Sequence, residues 1–178
     1  MPDLTKVLSD EHQNILKVIS AIKKECQAIE AGRAIDQDFF VTAIDFIRNY
    51  ADKFHHAKEE DILFKAMCQD SVTLHCNPID QMLHEHDLGR NFVKDLAAGL
   101  AENNKDQALA SARGYAFLLE DHIFKEDNIL YPMAGDVLPE DLQVKLAQDF
   151  LKAEQEKFQP GVKEKYLAVV EKFETRIL

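Results

Sequence analysis

Along nearly the whole chain, apolar residues recur every three or four positions, the spacing that lines side chains up on one face of an α-helix. One stripe holds Leu8, Ile15, Ile19 and Ile22, and a second Phe40, Ile44, Ile47, Ala51 and Ile62. A third holds Ile79, Met82, Gly89, Val93 and Leu96, and a fourth Ala112, Tyr115, Leu119, Ile129 and Met133. Helix breakers divide these stripes. The pattern predicts a helix from about Asp3 to Ala31, stopped by Gly32, and a second from about Asp36 to Met67 with Asp36 as N-cap. "QDSVTLHCNP" reads as a loop, and a third helix follows Pro78 to about Glu102. "NNKD" makes a short turn with an Asn or Asp cap, and a fourth helix ends at Tyr131 before Pro132. From Leu138 to Leu178 two further helices are expected, the first capped by "LPED" and the pair separated at Pro160 and Gly161. The expected fold is all-α: an up-down antiparallel four-helix bundle over residues 1–135, with a C-terminal helical extension, 136–178, packed on it.

Composition supports one compact domain. The chain has 178 residues, 46% hydrophobic and 30% charged, with 6 Gly, 5 Pro and no Trp. Its 32 acidic and 21 basic residues give a formal charge of −11, which repels nucleic-acid phosphates and anionic membrane surfaces. No apolar run approaches the ~20 residues of a membrane-spanning helix, and "MPDLTKVLSDEH" lacks the basic and apolar regions of a signal peptide. A cytoplasmic protein is expected. Cys26, Cys68 and Cys76 contain no CxxC pair, so reduced thiols are expected rather than disulfides or a zinc ribbon.

Histidines interrupt the apolar stripes. His12 lies between Leu8 and Ile15, His86 between Met82 and Gly89, and His122 between Leu119 and Glu126. In "DKFHHAKEEDILF" the stripe runs from Ala51 to His55 and Glu59, leaving His56 and Glu60 about 100° round the helix. Glu60 is expected on the polar flank and His84 on the surface. An imidazole on the flank still reaches a metal held between helices, so His56 stays a candidate. All four long helices thus carry an inward histidine, and two add a Glu four residues later. Buried carboxylates cost several kcal/mol unless paired or bound to a cation. A two-metal site neutralises Glu59 and Glu126 and satisfies the imidazoles of His12, His55, His86 and His122. Imidazole and carboxylate without inward thiolate point to iron or manganese ahead of structural zinc.

The pieces "DEHQNI", "FHHAKEEDILF", "LHEHDLGR" and "DHIFKEDNILYP" together resemble the hemerythrin-like, HHE cation-binding proteins over about residues 1–135. The resemblance implies four antiparallel helices and two irons, bridged by carboxylates and an oxo or hydroxo group, that bind dioxygen or react with nitric oxide or peroxide. It implies His12, His55, His86 and His122 as imidazole ligands and Glu59 and Glu126 as bridging carboxylates, with manganese or zinc as other occupants. Two departures stand out. Met82 replaces a histidine of the oxygen carriers, leaving one iron a ligand short, and His56 is a candidate seventh ligand in its stead. Oxygen carriers also place an Asp five residues after the histidine matched by His122; Asp127 holds that place, but the stripe favours Glu126.

A ligand-poor iron argues against stable oxygen carriage and for sensing, scavenging or iron handling of a small diatomic ligand or peroxide. Tyr115 is expected either to hydrogen-bond a bound oxygen species or to bond backbone in the core. A metal-dependent regulatory module acting through the tail helices is the alternative, and a structural protein with incidental histidines the third class. No hydrolytic or phosphate-cradling pattern occurs.

Overall fold

A computed structural model describes residues 4–69, 72 and 77–177. The predicted start at Asp3, Cys76 and most of the predicted loop between Gln69 and Pro78 lie outside the described residues. Six helices follow in order: α1 (Lys6–Glu30), α2 (37–67), α3 (Ile79–Ala101), α4 (105–137), α5 (Glu140–Lys157) and α6 (Val162–Ile177). Among the described residues there is no strand, and no helix is long and apolar enough to cross a membrane.

The expected caps form. An Asp36 carboxylate oxygen accepts the Phe39 N–H at 3.0 Å, and the Asn104 side-chain oxygen accepts that of Gln107 at 3.2 Å. Gly32 and Gly161 take φ of 104° and 85° just beyond or between helices, where a Cβ would be strained. Pro132 does not end α4, as its sequence position suggests. The helix passes through it to Val137, because Pro132 falls in the first turn of a fresh α-helical segment, where a missing N–H leaves no bond unmade.

Three stretches of π-helix explain why the register differs from a straight extrapolation. In α2 they span Ile47–His56 and Glu59–Leu63, and in α4 Glu126–Leu130. A π turn closes hydrogen bonds from i to i+5, so it absorbs one extra residue and rotates everything after it. The apolar stripe therefore continues at Leu63 and Leu130, fully buried, while Ile62 is half-buried and Ile129 is 49% exposed. Ala134 takes the buried place expected for Met133.

α1 packs against α2 and α4, and α3 against the same two helices. α5 lies on α2, and α6 on α1 and α2. Aromatic stacking fastens this tail: Phe158 sits 4.1 Å from Phe54 and Phe173 4.6 Å from Phe39, centroid to centroid. Each such pair adds about 0.5–1.5 kcal/mol to the burial itself. Two apolar clusters result. One contains Ile15, Ile19, Ala51 and Val93, the other Leu8, Leu63, Met82 and Leu130. The inward histidines fall between them along each of the first four helices.

Candidate metal centre

His12 comes from α1, His55, His56 and Glu59 from α2, His86 from α3, and His122 and Glu126 from α4; all are buried. They gather into two groups, His12, His55, Glu59 and Glu126 in one and His56, His86 and His122 in the other. Within each group the candidate ligand atoms lie within 4.8 Å of one another. The carboxylates stand between the groups. Glu59 Oε2 is 3.6 Å from His55 Nε2 and 3.6 Å from His86 Nε2. Glu126 Oε2 is 3.3 Å from His12 Nε2, and its Oε1 is 3.1 Å from His122 Nε2. Each carboxylate thus faces imidazoles of both groups, the position a bridging ligand requires.

Four acidic residues orient the rings from outside. His12 Nδ1 faces Asp127 at 2.9 Å, His55 Nδ1 faces Glu11 at 2.9 Å, His86 Nδ1 faces Glu60 at 2.7 Å and His122 Nδ1 faces Glu85 at 2.9 Å. A carboxylate at Nδ1 fixes the proton there and turns the Nε2 lone pair inward, as behind metal-ligating histidines generally. Lysines complete this outer layer: Lys58 binds Glu11, and Lys125 binds Glu85. Tyr131 donates its hydroxyl to Glu59 Oε1 at 2.6 Å.

The donor set fits divalent cations on its own evidence. His55 Nε2, Glu59 Oε2 and both carboxylate oxygens of Glu126 are buried without a hydrogen-bond partner. Such atoms cost about 1–3 kcal/mol each, more when charged. His86 Nε2 and His122 Nε2 converge to 2.9 Å, so either a proton or a cation must lie with them. Without a cation, protons serve. Burial opposes charge on His12 and His122, yet Asp127 and Glu126 lift the first to about 9, and Glu126 and Glu85 the second to about 10. Burial and then the nearby Glu126 charge raise the Glu59 carboxyl well above its usual range. His55 stays neutral, held down by burial and then by His12. A cation entering this cluster displaces those protons.

The seven candidate ligands, His56 among them, all lie in these two groups, and His56 is placed differently from expectation. His56 is 7% exposed rather than on a half-exposed flank, its ring stacked on His86 at 3.8 Å. The π turns of α2 bring both adjacent histidines inward. Glu60 is half-buried on the polar flank, as expected, but there it binds His86 and Arg90, and the hydrogen bond from His86 foremost pushes its carboxyl down to about 2. His84 is exposed, as expected. Asp127 lies outside His12 while Glu126 points in.

Glu11, Glu85, Lys58, Lys125 and Tyr131 were not foreseen. A signal for most of them exists in the chain, an internal repeat. "KEEDIL" from Lys58 answers "KEDNIL" from Lys125, each three residues after an inward histidine, and "EH" recurs at Glu11 and Glu85. The paired α1 with α2 and α3 with α4 therefore supply the same parts twice.

Comparison with curated proteins found no match, and neither did comparison with solved structures. The family model described as the hemerythrin HHE cation binding domain matches residues 3–134, from before α1 to the last turn of α4. With that match spanning most of its length and the histidines and glutamates of the match brought together, the chain belongs to the hemerythrin HHE cation-binding domain family.

Proposed function

We propose that residues 1–135 form an up-down four-helix bundle holding two iron ions, with 136–178 as an extension packed on it. In this reading His12 and His55 would hold one iron, His86, His122 and His56 would hold the other, and Glu59 and Glu126 would serve both. The pair supplies, when bound, two adjacent one-electron centres for binding or reducing dioxygen, nitric oxide or peroxide. The protein acts in sensing, scavenging or iron handling in the cytoplasm. One observation carries the reading: both glutamates present unpartnered oxygens between two sets of imidazole nitrogens whose outer nitrogens are already taken by carboxylates.

The chain's own groups then have separate tasks. Asp127, Glu11, Glu60 and Glu85 hold the four rings in the ligating tautomer. Tyr131 steadies Glu59 by donating to the oxygen that does not face His55. Leu8, Ile15, Leu63 and Leu119 keep water from the layer. Met82 is buried where it supplies no nitrogen donor.

Metal analysis of protein purified anaerobically under iron-replete conditions tests the reading. About two irons per chain are expected from the doubled ligand set, and iron near zero would sink it.

A further inference from the structure

The two halves of the repeat are alike at the centre and unlike outside it. On the outer side of α2, Phe46, Tyr50 and Phe54 are each at most 1% exposed. Their repeat mates on α4, counted from Lys58 against Lys125, are Arg113, Phe117 and Asp121, and all three are exposed. What covers the first set is the C-terminal extension, packed on α1 and α2.

The extension crosses the histidine layer at its elbow. α5 places Leu146 and Phe150 in the apolar cluster on one side of the layer, and α6 places Tyr166, Val170 and Phe173 in the cluster on the other. Between the two helices, at residues 158–161, the chain turns directly behind His55. There Phe158 stacks on Phe54 at 4.1 Å, 13° from parallel. Lys163 lies 5.6 Å from the centre of the same ring and donates to Glu154 at 2.6 Å, tying the start of α6 to the end of α5. The Phe54 ring also carries Lys58, 3.7 Å above its centre. Lys58 binds Glu11, and Glu11 holds His55 Nδ1 at 2.9 Å. One line of contacts thus runs from the elbow through Phe54, Lys58 and Glu11 to His55. The Lys163 and Glu154 charges also act on Glu11 and Lys58 across space. Behind His122 the matching Glu85 is held instead by Gln81 at 2.6 Å and by Lys125, which is a third exposed.

Resting on the two-metal reading, we infer that the α5–α6 elbow is a latch on the His12 and His55 metal position: its seating and the occupancy of that position strengthen each other, while the His56, His86 and His122 position is independent of it. The linkage is reciprocal. Metal that fixes His55 fixes Glu11, Lys58 and Phe54 beneath the elbow, and an elbow that lifts loosens His55 and that metal alone. The tail thereby lets the chain yield one metal ion while keeping the other. Losing the support behind a ligating histidine weakens metal binding by about 10- to 100-fold, which sets the size of the effect.

Hydrogen exchange of the full chain, metal-free and loaded anaerobically with ferrous iron, reads one direction of the linkage. Amides of residues 154–166 should exchange at least tenfold more slowly with iron bound. Competition with a chromogenic chelator reads the other direction. In Phe158→Ala one of two irons should be held at least tenfold more weakly and the other within twofold of the parent. Lys163→Met, which keeps the stacking and loses only the charge, should weaken the same iron severalfold; unchanged affinity there overturns the latch even if Phe158→Ala does not fold. Crystals of Phe158→Ala given one iron per chain should show its anomalous scattering on the His86 and His122 side. Phe173→Ala, which unstacks the far end of α6 from Phe39, is the control for general loosening of the tail, and should lower Tm with both affinities within twofold. Elbow exchange indifferent to iron would overturn the latch. So would a Phe158→Ala protein that holds both irons as the parent does, loses both alike, keeps its one iron at His12 and His55, or is matched by Phe173→Ala. A parent chain that binds no iron would sink the two-metal reading and the latch with it, whereas every other outcome leaves that reading standing.

Discussion

Lys58 and Lys125 occupy the same place in the two halves of the repeat, yet their surroundings predict very different costs of removal. The Lys58 side chain is 1% exposed, bound to Glu11 and 3.7 Å above the centre of the Phe54 ring. That of Lys125, bound to Glu85, is 33% exposed. In Lys58→Met the methylene volume is kept and the charge is lost, leaving the buried Glu11 carboxylate with His55 as its remaining hydrogen-bond partner. Breaking a buried pair from one side costs about 3–5 kcal/mol, and the desolvated ammonium over Phe54 adds about 1–2 kcal/mol. In Lys125→Met the Glu85 carboxylate keeps its hydrogen bonds from Gln81 at 2.6 Å and from His122, and the lost ammonium was a third exposed, so a cost of about 1 kcal/mol is expected. At about 2–4 °C per kcal/mol for a chain of this size, Lys58→Met should lower Tm by roughly 8 to 28 °C and Lys125→Met by roughly 4 °C at most.

Thermal unfolding of the metal-free protein, followed by circular dichroism, measures both without mixing in loss of metal. The double variant Lys58→Met with Glu11→Gln should recover at least half of the Lys58→Met loss, because the uncompensated charge goes with the glutamate. Equal Tm losses for the two lysine variants would refute the burial argument. Failure of the double variant to recover would refute its electrostatic part.

Three further outcomes are expected. Chelation should lower Tm strongly: at a thousandfold excess of free metal over Kd, binding contributes about 4 kcal/mol, and an unchanged Tm after complete metal removal would count against an inward site. Glu60→Gln removes the charged acceptor at His86 Nδ1 and should weaken metal retention by about 10- to 100-fold with the helical content intact; metal titration monitored by competition with a chromogenic chelator decides this. Burial, followed by the neighbouring Glu30, pushes the Cys26 thiol up to about 11, so it stays protonated at pH 8. Mass spectrometry after iodoacetamide treatment of the native protein should find the exposed Cys68 alkylated and Cys26 untouched until denaturant is added.

Periodicity carried the reading of this sequence up to the ligands and failed just after them, for one physical cause. In α4 the turns add in threes and fours up to His122, and in α2 the stripe drawn from Phe40 still arrives at the buried His55 although π turns run from Ile47 to His56. Beyond them, each Glu that follows opens a π turn, and a count that assumes α-helix lands on Ile62 and Ile129 instead of Leu63 and Leu130. The same widening explains His56, whose sequence neighbour His55 uses up the centre of an α-helical face but not of a wider one. Glu11 and Glu85 were illegible for a different reason. Acidic residues beside a histidine ordinarily signal solvent, and only the helix opposite, with His55 or His122 on it, turns them into buried partners. Partnership across helices has no period. It was nonetheless written in the chain as repetition, since "KEEDIL" and "KEDNIL" recur with the same outer contacts, and a residue that departs from its repeat mate then becomes informative. Phe54 against Asp121 is such a departure, the one buried beneath the elbow and its mate exposed.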